Sequence, residues 1–433
     1  MKNKKISLIS LGCEKNLVDS ESILGIFSDD YEIIPEYEDA DVVIINTCGF
    51  ITSAKEEAIN TIYDVIDNKK TGALVIVCGC LVERYYNELK TGIPEVDLFI
   101  PLREYKRFGD LVGRLLNDNK LTGLCPSQLK RVISTPRHLA YVRISDGCNN
   151  RCTYCAIPLI RGAFRSREKE DILTEIKYLA KSGRKEICLI SQDLTKYGID
   201  INYSLEELLK EIIKLNLNIK VRLLYLYPDE ISDELIKIIK ENEMIYPYFD
   251  IPIQHASNKL LKWMNRRGTK EFIRSLINKI RKEIPSAVIR TTIIVGFPHE
   301  TEKDFNELID FVKEMKFDHL GAFTYSKEED TKSFTMSGQV SKKDKERRYE
   351  ILMETQKWIS LKLNERYIGN TYETIIEDYD SENGYYSGRN YMFAPDDIDG
   401  AVIIRSDKEL EIGKLYNVKI IDVDFYDLYG EII

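Results

Sequence analysis

The sequence predicts an α/β protein of three parts: an N-terminal parallel α/β domain, a central partial (βα)6 barrel and a small C-terminal antiparallel β-barrel. Two series of alternating apolar strand runs and amphipathic helices predict the first two parts, and short apolar runs separated by Gly and Asp predict the third. A chain of 433 residues holds about three domains at the usual ~150 residues each. We place them at residues 1–125, 134–365 and 366–433.

The first domain shows the strand and helix alternation of a parallel sheet. Apolar runs predict strands at residues 6–11, 42–45 and 73–77, and the segments that follow them predict helices at 17–27, at 54–66 and from Val82. Parallel strands need crossover connections, which these helices supply.

The central series is longer and begins near His138. It predicts six strands with amphipathic helices between them, at residues 139–144, 186–190, 221–225, 248–251, 287–294 and 319–323. Six βα units fall short of the eight units of a closed barrel, so we predict a partial one. A charged helical segment at residues 342–362 then leads to the C-terminal β-barrel.

Composition narrows the class of protein. The hydrophobic fraction is 43%, and no apolar run approaches the ~18 residues that span a membrane. The run at residues 6–11 is too short for a signal peptide, so we expect a cytoplasmic protein with no membrane partner. Nine cysteines are an odd number and too sparse for a disulfide scaffold, which leaves metal ligation or burial as their roles.

Three cysteines lie directly after the first predicted strand of the central domain: Cys148, Cys152 and Cys155. Three thiolates on a 4Fe-4S cluster leave one iron without a protein ligand, and chemistry can occur at that open iron. Their spacing of three and then two intervening residues differs from the Cys-x2-Cys pairs of zinc ribbons. Zinc binding and simple burial are the alternatives, and we favour the cluster.

A second set of cysteines is spread through the first domain. Cys13, Cys48 and Cys80 each lie shortly beyond a predicted strand, and each has an adjacent Gly. Parallel strands end at one edge of the sheet, where ligands bind in open α/β folds, so we expect these thiols to meet and hold a second 4Fe-4S cluster. An electron-relay role is the alternative to a sulfur-delivering role for that cluster.

The other cysteines receive no ligand role. Cys78 competes with Cys80, but it lies within its strand run and is expected to pack inside the domain. Cys125 in the linker and Cys188 in the run at residues 187–190 are expected to be structural or incidental.

The run Cys148-x3-Cys152-x2-Cys155 at the mouth of a βα barrel resembles the radical S-adenosylmethionine motif. The resemblance implies that the open iron binds S-adenosylmethionine and supplies the electron that splits it into a 5'-deoxyadenosyl radical. It also implies that Gln192, after a strand end, binds the methionyl amine. Tyr154 is expected either to pack against the adenine or to be a core aromatic beside the cluster.

Further runs resemble the methylthiotransferases of that superfamily: Leu11-Gly-Cys13-Glu-Lys-Asn16, Asn46-Thr-Cys48-Gly-Phe50 and Gly79-Cys80-Leu81. Within the family, the runs at residues 16–21, 222–228, 250–257 and 388–400 are most similar to members that modify an aspartyl residue of a small-subunit ribosomal protein. The terminal barrel then corresponds to a TRAM domain. Two departures from the family pattern are His299, where Gly is usual, and Met392-Phe393; neither is a predicted cluster ligand.

The resemblance implies a radical mechanism with two clusters. One S-adenosylmethionine gives its methyl to sulfur held at the first-domain cluster, and a second generates the radical that removes the aspartyl β-hydrogen. That hydrogen is too weakly acidic for a side-chain base, so we assign no catalytic acid or base. An external electron donor and a sulfur donor are required as partners.

Charge distribution bears on the substrate independently. From Ile368 onward the chain has 15 acidic and 5 basic residues, a net charge of -10 against -9 for the whole chain. An acidic barrel suits a basic ribosomal protein and disfavours direct RNA binding, although these acids can also simply solvate a surface. Methylthiolation of a tRNA adenosine is the first alternative function, and a non-catalytic iron-sulfur electron carrier is the second.

Overall fold

The computed structural model describes residues 4–396 and 398–433; residues 1–3 and Asp397, one of the acids counted above, lie outside them. The α/β class is confirmed, with a C-terminal barrel. None of the described helices is both long and apolar enough to cross a lipid bilayer.

The N-terminal domain is a five-stranded parallel sheet with the order β2-β1-β3-β4-β5. Its strands are β1 (Lys5–Ser10), β2 (Glu32–Ile33), β3 (Val42–Thr47), β4 (Leu74–Gly79) and β5 (Leu98–Pro101). Its helices are α1 (Glu14–Phe27), α2 (Thr52–Asn68), α3 (Cys80–Gly92) and α4 (Phe108–Leu116). Apolar residues fill both faces of the sheet, with α1 and α4 on one face and α2 and α3 on the other. The short edge strands β2 and β5 were not predicted from the sequence.

The central domain has six parallel strands in the spatial order β6-β9-β10-β11-β12-β13. They are β6 (Leu139–Arg143), β9 (Glu186–Ile190), β10 (Lys220–Leu223), β11 (Tyr248–Asp250), β12 (Val288–Val295) and β13 (His319–Thr324). They form two three-stranded sheets, which meet where the Tyr246 N–H donates to the Val221 carbonyl at 2.9 Å. Within the described chain β6 and β13 do not pair, so the barrel is open, as expected.

Amphipathic helices cover the outer face of these strands and bury their apolar stripes against it. These helices are α6 (Lys169–Lys181), α7 (Leu205–Lys214), α8 (Asp233–Glu241), α9 (Asn258–Trp263), α10 (Lys270–Glu283), α11 (Glu302–Met315) and α12 (Lys342–Asn364). The short α5 (Ile157–Ile160) lies instead after the central cysteines and is not part of this core. A short hairpin, β7 (Ser145–Asp146) and β8 (Arg165–Ser166), encloses the segment with the central cysteines. The start of α11 carries a capping box between Thr301 and Asp304.

The C-terminal domain is a closed five-stranded barrel with the order β14-β15-β16-β18-β17. Its strands are β14 (Thr371–Asp380), β15 (Tyr385–Arg389), β16 (Val402–Ile404), β17 (Leu415–Val423) and β18 (Leu428–Ile432). The structure differs from the expected antiparallel barrel in one pairing, since β16 and β18 are parallel. Closure of a five-stranded sheet brings these two strands side by side and leaves no free edge.

A loop of the C-terminal domain enters the concave face of the central barrel. Met392 and Phe393 on this loop are buried, and they pack with Tyr141 and Tyr248 of the barrel strands. The Met392 carbonyl lies 2.8 Å from Nε2 of His319 on β13. Residues 392–394 of this loop therefore fill space inside the open barrel.

Buried charged side chains also stabilise the contact between the central domain and the C-terminal domain. The Glu186 carboxylate on β9 accepts from Arg222 Nε at 2.7 Å and from Arg389 Nη1 at 2.6 Å. Arg222 also donates to the carbonyls of Asn390 and Tyr391, at 3.1 and 3.0 Å. Glu186 and Arg222 thus join two strands of the central domain to a strand and a loop of the C-terminal barrel.

Candidate functional site

The N-terminal cysteine set, Cys13, Cys48 and Cys80, lies at the carboxyl edge of the first sheet. Cys13 caps the start of α1, Cys48 follows β3 and Cys80 is the first residue of α3. Their strands β1, β3 and β4 are neighbours in the sheet, which places the three positions side by side. The structure therefore brings this set together as the sequence predicts.

Two glycines allow the close approach within this set. A Cβ atom on Gly12 would lie 2.7 Å from the Cβ of Cys48, and Gly12 has a φ of +88°. A Cβ atom on Gly49 would lie 2.7 Å from Cα of Leu81, directly after Cys80. Any larger residue would push the cysteine segments apart.

The remaining cysteines lie elsewhere. Cys78 is fully buried in β4, with its Sγ 3.9 Å from Oδ1 of Asn46. Cys188 is fully buried in β9, whereas Cys125 is exposed.

The central cysteine set, Cys148, Cys152 and Cys155, occupies the loop between β7 and α5, and all three residues are half-buried. Cys152 lies near two polar groups, 3.8 Å from the Tyr227 hydroxyl and 3.9 Å from Nη1 of Arg266. The Arg266 guanidinium also stacks on the Tyr227 ring at 3.8 Å. These groups place a cation beside one thiol of the set.

Burial controls the protonation of the thiols in both sets. It raises the pKa of the Cys148 and Cys155 thiols, and it raises the pKa of Cys80 to about 12 against the opposing charge of Arg161. Burial likewise raises the pKa of Cys48. Because metals bind the thiolate, a metal centre must displace these protons when it binds.

Tyr154 lies between two of the central cysteines in sequence and packs into a small apolar core. Its ring meets the Phe297 ring edge-on at 6.4 Å, beside Leu260, Met264 and Tyr325. Burial raises its pKa well above the ordinary value. Tyr154 is therefore held in one orientation by the core next to the central cysteine set.

Gln192 follows β9, close to the central cysteine set. Its Nε2 donates to Oδ1 of Asp146 at 3.2 Å. Its Oε1 is buried and has no hydrogen-bond partner among the residues that the structure describes. An unpaired buried carbonyl fits a bound ligand that donates a hydrogen bond, such as an ammonium group.

A buried arginine connects the two cysteine sets. Arg161, six residues after Cys155, donates to Oδ1 of Asn16 at 2.6 Å and lies 3.6 Å from Sγ of Cys80. Cys80 also packs with Ala156, which directly follows Cys155. No local sequence pattern marks this contact, because Arg161 lies 81 positions from Cys80.

A second buried chain of polar contacts reaches the site from the C-terminal domain. Asp399 pairs with Arg290 at 3.1 Å, and Arg290 pairs with Asp250 at 3.0 Å. Asp250 accepts from the Tyr225 N–H at 2.9 Å, and the Tyr225 hydroxyl hydrogen-bonds Glu14, which follows Cys13. All three domains therefore contribute residues to one chain of polar contacts that ends at Glu14, next to Cys13.

The donor atoms of both cysteine sets are thiols, which bind single metal ions as well as iron-sulfur clusters. Within residues 4–396 and 398–433, no three His, Cys, Asp or Glu side chains are grouped as one metal ion requires. In a 4Fe-4S cluster each thiolate binds a different iron, so its thiols stand further apart than the ligands of one ion. Each set supplies three cysteine thiols, the donor that binds such a cluster.

Comparison with protein families agrees with the three-part architecture. Residues 5–101 match the uncharacterized protein family UPF0004, residues 142–312 match the radical SAM superfamily and residues 368–433 match the TRAM domain. Among solved structures, the radical S-adenosylmethionine methyltransferase TsrM from Kitasatospora setae has a TM-score of 0.55 at 13% identity, over 75% of this chain and 72% of that chain. At that identity the likeness shows the fold alone.

Curated relatives match over nearly the whole chain. The ribosomal protein uS12 methylthiotransferase RimO of Clostridioides difficile is 48% identical over 99% of this chain and 99% of its own length. The RimO proteins of Alkaliphilus oremlandii and Carboxydothermus hydrogenoformans are also 48% identical, over 99% of this chain and 98% and 99% of their own lengths. The chain therefore belongs to the RimO family of methylthiotransferases and is a radical S-adenosylmethionine enzyme.

Proposed function

We propose that this enzyme transfers a methylthio group to the β-carbon of an aspartyl residue of ribosomal protein uS12. The central cysteine set holds one 4Fe-4S cluster and the N-terminal cysteine set holds a second. The substrate rests on the relatives, which are named for uS12. The use of two clusters rests on the two sets of three thiols.

One observation carries the two-cluster proposal: the two cysteine sets adjoin each other inside the protein. Arg161 and Ala156 belong to the segment that follows Cys155, and both contact Cys80. A radical formed at one set and sulfur held at the other can then reach one substrate carbon without leaving the enzyme.

The chain's own residues have distinct tasks in this reaction. When bound, one S-adenosylmethionine would supply the methyl group to sulfur at the N-terminal cluster, and a second, at the central cluster, would supply the hydrogen-abstracting radical. Gln192 Oε1 accepts a hydrogen bond from the methionyl ammonium, because it is buried without another partner among the described residues. Tyr154, fixed by Phe297, supplies an apolar surface beside the adenine.

The other residues that surround the proposed site exclude water and supply no acid or base. Met392 and Phe393 of the C-terminal loop fill the barrel interior, so a reactive intermediate is shielded from solvent on that side. An aspartyl β-hydrogen is too weakly acidic for removal by a side-chain base. We therefore assign no residue to general acid or base catalysis.

The surface of the C-terminal barrel supports a basic protein partner. Ten of its described acids are exposed, against four exposed bases: Glu373, Asp378, Glu382, Asp396, Asp407, Glu409, Glu411, Asp422, Asp424 and Glu431 against Arg405, Lys408, Lys414 and Lys419. Glu377 and Asp399, by contrast, are used inside the protein, in pairs with Arg389 and Arg290. The exposed excess of acids favours uS12 over RNA through complementary charge.

The test is an anaerobic reaction with reconstituted enzyme, reductant, sulfide and S-adenosylmethionine. Purified uS12 and bulk tRNA are offered in separate reactions, and mass spectrometry reads both. We expect uS12 to gain the mass of SCH2 at one aspartyl residue and tRNA to remain unchanged. A uS12 in which that aspartate is replaced by Asn is the matched control substrate.

The other outcomes separate the parts of the proposal. A gain of the mass of SCH2 on tRNA alone would transfer the activity to a tRNA adenosine. Formation of 5'-deoxyadenosine without modification of either substrate would refute uS12 as the substrate. An external reductant and a sulfur donor are partners that the reaction requires in the cell.

A further inference from the structure

We propose that Arg161 is a positioning residue that raises the reduction potential of the cluster on the N-terminal cysteine set, by donating a charged hydrogen bond to the Cys80 sulfur. This rests on the proposed function, which assigns Cys13, Cys48 and Cys80 as ligands of that cluster. Arg161 belongs to the central domain, whereas the sulfur it contacts belongs to the N-terminal domain.

The geometry places the Arg161 guanidinium against the sulfur. Its Nη2 lies 3.6 Å from Sγ of Cys80, within reach of an N–H to sulfur hydrogen bond, and the Arg161 side chain is only 3% exposed. Asn16 supports the same contact, because its Oδ1 accepts from Arg161 at 2.6 Å and lies 3.3 Å from Sγ of Cys80. Asn16 itself is fixed by donating to the carbonyls of Leu11 and Thr47, each at 3.0 Å.

Carboxylates on both sides hold the guanidinium in this position. Arg161 Nη1 lies 2.8 Å from Oδ2 of Asp19 on α1 and 3.6 Å from Oδ2 of Asp146 on β7. Arg143 binds the other oxygen of Asp19, at 2.6 Å. Because both domains supply partners, Arg161 cannot turn away from Cys80 without breaking a buried ion pair.

The position of this charge predicts its effect. A reduced iron-sulfur cluster carries one more negative charge than the oxidised cluster, and hydrogen bonds to its sulfurs favour the reduced form. The effect is strong here because the guanidinium is buried, where charges are poorly screened. Removing the Arg161 charge therefore makes the cluster harder to reduce.

The experiment uses the full chain with Cys148→Ala, Cys152→Ala and Cys155→Ala, so that only the N-terminal set can hold a cluster. After anaerobic reconstitution, iron is counted and the midpoint potential is measured by redox titration with electron paramagnetic resonance. Arg161→Gln is compared with Arg161→Lys and with the matched control Arg143→Gln. Arg143 shares Asp19 with Arg161, but it has no recorded contact with Cys80.

We expect Arg161→Gln to lower the ratio of reduced to oxidised cluster about tenfold at a fixed potential, a shift of about 59 mV for one electron. Arg161→Lys should shift the midpoint potential less in the same direction, and Arg143→Gln, whose charge lies further from Cys80, should shift it much less than Arg161→Gln. An unchanged midpoint in Arg161→Gln with full iron overturns the inference, as does an equal shift in Arg143→Gln. If Arg161→Gln binds no iron, an unchanged midpoint in Arg161→Lys overturns it.

The triple cysteine variant, in which the arginine variants are made, has an outcome of its own. If the triple cysteine variant binds no cluster, the assignment of the N-terminal set in the proposed function is wrong, and the inference about Arg161 is overturned with it.

Discussion

Replacing Glu186 with Gln removes a buried charge from the contact between the central barrel and the C-terminal domain. Glu186 is 3% exposed and pairs with Arg222 and Arg389, at 2.7 and 2.6 Å. Gln keeps the volume of the side chain but not its charge. Arg389 retains Glu377 at 2.9 Å, whereas Arg222 is left with two backbone carbonyls.

The pKa of Glu186 sets the size of the effect. Burial by itself raises this pKa, but the charges of Arg222 and Arg389 outweigh burial and lower it from 4.5 to about 2. That difference corresponds to about 3 kcal/mol. It agrees with the roughly 3–5 kcal/mol lost when one partner of a buried ion pair is removed.

The pH dependence follows from the direction of this shift. Because the folded-state pKa of Glu186 lies below its ordinary value, the stabilising contribution is fully present above pH 4.5 and is lost as the pH falls toward about 2. The difference between Glu186→Gln and the unsubstituted chain should therefore be largest at neutral pH and should shrink in acid.

Hydrogen-deuterium exchange measures the opening of this contact without assuming that three domains unfold together. At neutral pH we expect the amides of β10 and β15 to exchange about a hundredfold faster in Glu186→Gln, as about 3 kcal/mol requires. The control Glu234→Gln breaks an exposed pair with Lys210, which water screens, so it should change the exchange little. Exchange in Glu186→Gln within about threefold of the unsubstituted chain would refute a stabilising role for the buried pair.

Three further predictions concern the site, a helix and the surface. Cys148→Ala should abolish reductive cleavage of S-adenosylmethionine, whereas Cys80→Ala should keep the cleavage and lose the methylthio product. Each variant should lose about half of its iron. Chromatography of 5'-deoxyadenosine and iron analysis measure these outcomes. Thr301→Ala removes the cap of α11 and should lower the local stability of that helix by about 1 kcal/mol, as read from hydrogen-deuterium exchange of its amides, while Thr61→Ala inside α2 should leave that exchange unchanged. Charge reversal of Glu409 and Glu411 to Lys should slow uS12 association and weaken its salt dependence in stopped-flow experiments; an unchanged association rate would argue against the acidic docking surface.

The sequence by itself determined the class of fold and the cysteine positions. Strand periodicity and helical stripes are local patterns, and they located β1, β3, β4 and the six central strands within a few residues. The spacing of the central cysteines is also local, because eight consecutive residues hold all three. The N-terminal cysteine set could be predicted from the sequence because parallel strands end at one edge of the sheet, so the order of strands along the chain predicts where their ends meet.

Short and distant features were decided by the tertiary structure. The edge strands β2 and β5 have two and four residues, too few for a periodic signal. The parallel pairing of β16 with β18 arises only when the barrel closes.

The largest gap lies in the contacts between domains. Arg161 meets Cys80, Arg222 meets Tyr391, and Tyr225 meets Glu14 across 81, 169 and 211 positions of sequence. No local pattern marks such residues, because their partners are set by how the domains pack. Local periodicity therefore specifies the elements and the thiols, whereas long-range packing of buried charges decides how the two cysteine sets face each other.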